Sequence, residues 1–104
     1  MLTHIVCWKY NSETSQQQRQ NHIEKLRALP GMIPNILKFE VGADVLHLER
    51  SFDTGLVAVY PDRAALDFYT EHPEHLKAAA FGKQIAEKVV SVDFLSEPPA
   101  VTGG

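Results

Sequence analysis

The sequence has no run of lysine and arginine, only one cysteine, and no apolar stretch approaching the roughly 18 residues a membrane-spanning helix needs. Each shortage closes off a class of protein. Its 10 basic and 13 acidic side chains are scattered, with a net charge of −3, so no surface is set up to neutralise phosphates. Neither nucleic acid nor a membrane is the expected partner. Strand-like sequence starts at the second residue, where a secretory leader would place charge and then an apolar segment, and the expected location is the cytoplasm. The lone Cys7 cannot close an internal disulfide. It sits in apolar strand sequence with no local cation or helix N-terminus to favour a thiolate, so it reads as a packing residue. No G-x-S-x-G, P-loop, dinucleotide fingerprint or H-E-x-x-H is present, and no cofactor is expected. Nor is a metal: His72-x-x-His75 is an isolated pair, and His4, His22 and His47 fall on separate predicted elements.

What is present fits one small domain over residues 1–96 and a flexible proline- and glycine-rich tail over 97–104. A chain of 104 residues buries only about 60 to 70% of its unfolded surface, so a partner subunit would add needed burial. Leu2 to Tyr10 (LTHIVCWKY) reads as a strand with apolar residues in both alternate sets, which predicts a cover on each face. Asn11-Ser12 offers cap chemistry for a helix over Glu13 to Leu29, stopped by Pro30-Gly31. Ile36 to Val41 reads as a second strand ending at Gly42, residues 43–54 as a long connection, and Gly55 to Tyr60 as a third strand. Pro61-Asp62 opens a helix with Ala65, Leu66 and Tyr69 facing inward; Pro73 interrupts it. Helical spacing resumes over Glu74 to Lys88, and Val89 to Phe94 is the last strand.

The order β-α-β-β-α-β predicts an α+β, ferredoxin-like fold: a four-stranded antiparallel sheet with helices on one face. The other face would then expose Ile5, Cys7, Val57, Val59, Val90 and Val92 together, an apolar surface too large for a monomer. A homodimer packed sheet to sheet is the expected solution.

The stretch FYTEHPEH, residues 68–75, concentrates the chemistry. Tyr69 and His72 are three apart and share a helix face; Pro73 restarts the chain and puts His75 in the next first turn. Such a kink can aim a phenol and two imidazoles at the crevice between helices and sheet. Imidazole titrates near neutrality and suits proton abstraction, and a phenol can donate to a developing enolate. The same spacing also serves plain helix capping, with His72 bonded to backbone and His75 in solvent.

In HIVCWKY (4–10), IPNILKFEVGADV (33–45), FDTGLVAVYPDRAAL (52–66), YTEHPEH (69–75) and VVSVDF (89–94), the sequence resembles the stress-responsive A/B barrel, or Dabb, family. The resemblance implies a dimeric α/β barrel. By analogy with the family's plant polyketide cyclases, it implies His75 as base and Tyr69 as hydrogen-bond donor in a cofactor-independent aldol closure. It further implies a small apolar or polyketide-like ligand in a pocket lined by His4, Val6, Trp8, His22, Ile23, Leu26, Leu56 and Ala86, with His72 at the same crevice. Two alternatives stand beside that reading. One is a non-catalytic, stress-associated dimer whose histidines cap helices, with no closed cavity of roughly 300 Å³ beside Tyr69. The other is a monooxygenase of the same dimeric barrel superfamily.

Overall fold

The structure, a computed structural model, describes residues 1–97; the predicted flexible tail, from residue 98 onward, lies outside the described residues. Four strands, β1 (Leu2–Tyr10), β2 (Lys38–Ala43), β3 (Thr54–Tyr60) and β4 (Ala86–Leu95), form one antiparallel sheet in the order β2-β3-β1-β4. Three α-helices, α1 (Gln16–Arg27), α2 (Arg63–Glu71) and α3 (Pro73–Ile85), and a single 3-10 turn over Leu29–Gly31 complete the element order. This is the ferredoxin-like β-α-β-β-α-β arrangement, with the second helix split in two at Pro73.

Alternation along β1 and β3 sorts the side chains between the two faces. Leu2, Trp8 and Tyr10 of β1, with Leu56, Ala58 and Tyr60 of β3, are buried beneath the helices, where Ile23 and Leu26 of α1 and Leu66 and Tyr69 of α2 join them. The opposite set is paired across the strands: Ile5 stands between Val57 and Val92, Cys7 between Gly55 and Val90, and Thr3 between Val59 and Phe94. On that face Val90, Val92 and Phe94 are 41, 53 and 46% exposed. The sheet therefore has one covered and one bare apolar face.

Element ends differ from the sequence-based expectation in ways that have physical causes. The first helix starts at Gln16, because Ser15 and Gln18 form a capping box: the Ser15 hydroxyl accepts the Gln18 N–H and the Gln18 side chain accepts the Ser15 N–H. Asn11 instead makes the preceding turn, accepting the N–H of Thr14 through its carbonyl. The second strand starts at Lys38, after Asn35 adopts a positive φ of 65°. The last helix ends at Ile85 and not at Lys88, because Ala86 is already extended (φ −106°, ψ 139°) and pairs with Tyr10. Ladder pairing with β1 outweighs the helical preference of the Ala86-Glu87-Lys88 sequence. The α1 end is tied to the sheet by Arg27, whose Nε and Nη2 donate to the Val41 carbonyl at 3.1 and 2.7 Å.

Candidate functional site

The site is built at the α2–α3 joint. Asp62 caps α2 by accepting the Ala65 N–H at 2.9 Å, and the helix then carries Tyr69 inward, where it is 1% exposed. His72 precedes a proline, which disfavours helical backbone, and it is extended at φ −65°, ψ 135°. Pro73 occupies the first helical position of α3, where its missing N–H costs nothing. The His72 Nδ1 accepts the Glu74 N–H at 3.1 Å, so this imidazole is the N-cap of α3.

The other histidine of the joint is placed differently. His75 Nδ1 lies 2.9 Å from the Thr70 carbonyl in the last turn of α2, a group that can only accept a hydrogen bond. The Nδ1–H donation fixes the tautomer and leaves Nε2 unprotonated. Burial is the main influence lowering the His75 pKa below the ordinary histidine value; the Thr70 carbonyl opposes it, and the nearby His4 adds to it. The ring is thus a neutral base at pH 7, with its centroid 4.5 Å from that of Tyr69.

Two further groups close this end. His4 of β1 stands opposite Asp93 of β4, and its Nδ1 pairs with the Asp93 carboxylate. The His4 ring is 6.3 Å from Tyr69 and 6.4 Å from Tyr60, and the two phenols are 5.4 Å apart. Burial above all raises both phenol pKa values far above the ordinary range, so each keeps its proton; the Tyr60 hydroxyl is buried without a hydrogen-bond partner among the described residues.

His4, Tyr69 and His75 open onto a cavity of about 230 Å³ between the helices and the covered sheet face, with Tyr60 and Asp93 behind them. Of the residues expected to form the site, His4, Val6, Trp8, Leu26, Leu56, Tyr69 and His75 line it. Four others do not. His72 is spent on capping. His22 is fully buried behind Trp8, hydrogen-bonded through Nδ1 to the Tyr10 hydroxyl at 2.7 Å. Ile23, one position further round α1, borders a separate depression with Gln16 and Arg19. Ala86 has left the helix for β4. A larger hollow of about 540 Å³ lies between α1 and α3, but it is a surface groove with no imidazole or phenol in its walls, so size alone does not mark the site.

Sequence reasoning missed Thr70, Ala79, Lys83, Val89 and Ser91 in the cavity wall, and Asp93 behind His4. The signals were there. His75, Ala79 and Lys83 are spaced four apart on one helix, and Val89, Ser91 and Asp93 are the alternate set to the bare-face Val90 and Val92. The strand register places those three beside Trp8, Val6 and His4.

A ferredoxin-like α+β domain with a compact cavity between helices and sheet is the class of protein so defined. Residues 2–96 match the Stress responsive A/B Barrel Domain, and the chain belongs to that family, Dabb. Among solved structures it is similar to a dimeric ferredoxin-like protein of unknown function from Thermobifida fusca, with 27% identity, a TM-score of 0.82, and coverage of 89% of this chain and 88% of that one. A dimeric protein of unknown function and ferredoxin-like fold from Bacteroides fragilis shows 26% identity and a TM-score of 0.78, covering 89% of this chain and 93% of that one. The hydroxynitrile lyase of Passiflora edulis shares the fold at 21% identity and a TM-score of 0.82, over 92% of this chain and 93% of that one. No curated protein matches the chain. Among the described residues no helix is long and apolar enough to cross a membrane.

Proposed function

We propose that two copies pack through their bare sheet faces, and that each copy holds a small carbonyl compound in the cavity beside Tyr69 and His75. The dimer is supported by the dimeric state of the Thermobifida fusca and Bacteroides fragilis proteins and by the apolar row Val57–Ile5–Val92 across the bare face. The observation that carries the chemistry is the pair itself: a neutral imidazole with a free Nε2, its ring centroid 4.5 Å from that of a phenol that keeps its proton.

That pair fits aldol-type ring closure without a cofactor. His75 Nε2 takes a proton from carbon next to a carbonyl. The C–H electron pair moves into an enolate whose oxygen is held by the Tyr69 hydroxyl. The nucleophilic carbon attacks a second carbonyl of the same molecule, and the imidazolium returns its proton to the new alkoxide. At about 230 Å³ the cavity is below the usual range for ligand pockets, roughly 300 to 1,000 Å³, which favours a substrate of few heavy atoms. The same fold serves a lyase in Passiflora edulis.

Two observations favour a non-catalytic reading: His72 caps α3, and the cavity falls short of the size that reading forbids. Solvent-deuterium exchange at the α-carbon of cyclohexanone separates the two. Proton abstraction by His75 predicts exchange above the buffer rate, reduced roughly 10²- to 10⁴-fold in His75→Ala. Exchange at the buffer rate in the parent protein, or equal exchange in the variant with only its melting temperature lowered, eliminates the base.

A further inference from the structure

The cavity is a trough with two chemically different ends. Along α3, His75 and Lys83 both line it, eight residues and thus about 12 Å apart. Along β1, His4 and Trp8 line it four residues apart, about 13 Å. The two elements are aligned: a methyl group at Gly82 would stand 3.1 Å from Trp8 Nε1, which sets Lys83 at the Trp8 end, while His75 and Tyr69 gather near His4 at the other. Between the ends the walls are mostly apolar, formed by Val6, Leu26, Leu56 and Ala79, with the Ser91 hydroxyl opposite Val6 as the polar exception.

Charge makes the ends unequal. At the imidazole end the Asp93 carboxylate, already paired with His4, repels a second anion. At the far end Lys83 is a cation, and no ion pair engages it among the described residues. We infer that Lys83 is a specificity-determining residue: it receives the carboxylate of an elongated oxo acid whose carbonyl lies between Tyr69 and His75. Only one orientation satisfies both ends. A neutral ketone lacks the anchor, and the reversed oxo acid sets its carboxylate against Asp93. The inference rests on the reading of this cavity as a small-molecule site.

Trp8 is the only tryptophan and stands in the cavity wall, so its fluorescence reports occupancy without any turnover. The parent protein and Lys83→Met are titrated with 7-oxooctanoate and with its uncharged amide at low salt. The acid is expected to bind the parent roughly tenfold tighter than the amide, the scale of one hydrogen bond to a charged group. That gap closes in Lys83→Met and narrows with added salt. Lys83 is exposed, so the variant keeps the parent's melting temperature. Equal binding of acid and amide by the parent, or a gap that survives in Lys83→Met, overturns the role of Lys83 and leaves the pocket standing. Failure of both compounds to change Trp8 emission at millimolar concentration overturns the pocket itself, and this inference with it.

Discussion

Gly82 of α3 passes so close to His22 of α1 that a methyl group at position 82 would stand 2.7 Å from His22 Nε2. The imidazole has little room to retreat. Its Nδ1 is held by the Tyr10 hydroxyl, which itself donates to Thr54 Oγ1 at 2.8 Å, and Trp8 meets it edge-on at 4.9 Å. Gly82→Ala should therefore destabilise, although alanine is the better helix former by about 1 kcal/mol. Overpacking of a filled interior costs roughly 1 to 3 kcal/mol and outweighs that preference. A lowered urea midpoint checks it; a raised one would show that the gain in helix propensity prevails.

The same histidine sets a pH dependence. Tyr10 gives its one proton to Thr54, so His22 Nδ1–H donates to the phenol oxygen and Nε2 is left buried without a partner among the described residues. Burial lowers the His22 pKa to about 4 from its ordinary 6.5. Between those values the unfolded chain binds a proton that the folded chain refuses, so stability is intact above pH 6.5 and falls as pH drops toward 4. The loss from this group approaches roughly 3 kcal/mol. Urea unfolding at pH 7 and pH 4.5 should show it, and His22→Gln should show a smaller difference. Identical pH slopes in the two proteins would contradict the assignment.

Val92 stands beside Ile5 on the bare face and is 53% exposed in the single copy. A charge there is tolerated by the fold but not by an apolar interface. Val92→Lys should yield a folded monomer by sedimentation, while the parent stays dimeric at low micromolar concentration. A monomeric parent would refute the sheet-to-sheet dimer.

Asp93 holds the Nδ1–H of His4 and so orients that ring toward the phenols. The His4 ring packs edge-on against Tyr69, the phenol proposed to hold the enolate, so releasing it in Asp93→Asn should reduce ketone α-proton exchange. The His75→Ala loss should be larger. An Asp93→Asn protein with full exchange would remove the His4–Asp93 pair from the chemistry.

The strand alternation of LTHIVCWKY and GLVAVY, with helical spacing at Ala65, Leu66 and Tyr69, determined the fold class and both sheet faces, because periods of 2 and 3.6 are local properties of the chain. Pro73 likewise fixed the kink, since a proline disfavours helix at the residue before it wherever it stands. The site depended on more than that. Whether His72 or His75 faced the cavity turned on which imidazole satisfied the orphan groups of the α2–α3 joint, Glu74 N–H in one case and the Thr70 carbonyl in the other. His22 and Ala86 were lost to the site for similar reasons: one was claimed by the Tyr10 hydroxyl and the other by pairing with β1. Asp93 reached His4 only through the register of two strands some ninety residues apart in sequence. Hydrogen bonds and strand pairing between distant segments choose among residues that local pattern leaves equivalent, and only the folded chain brings those segments together.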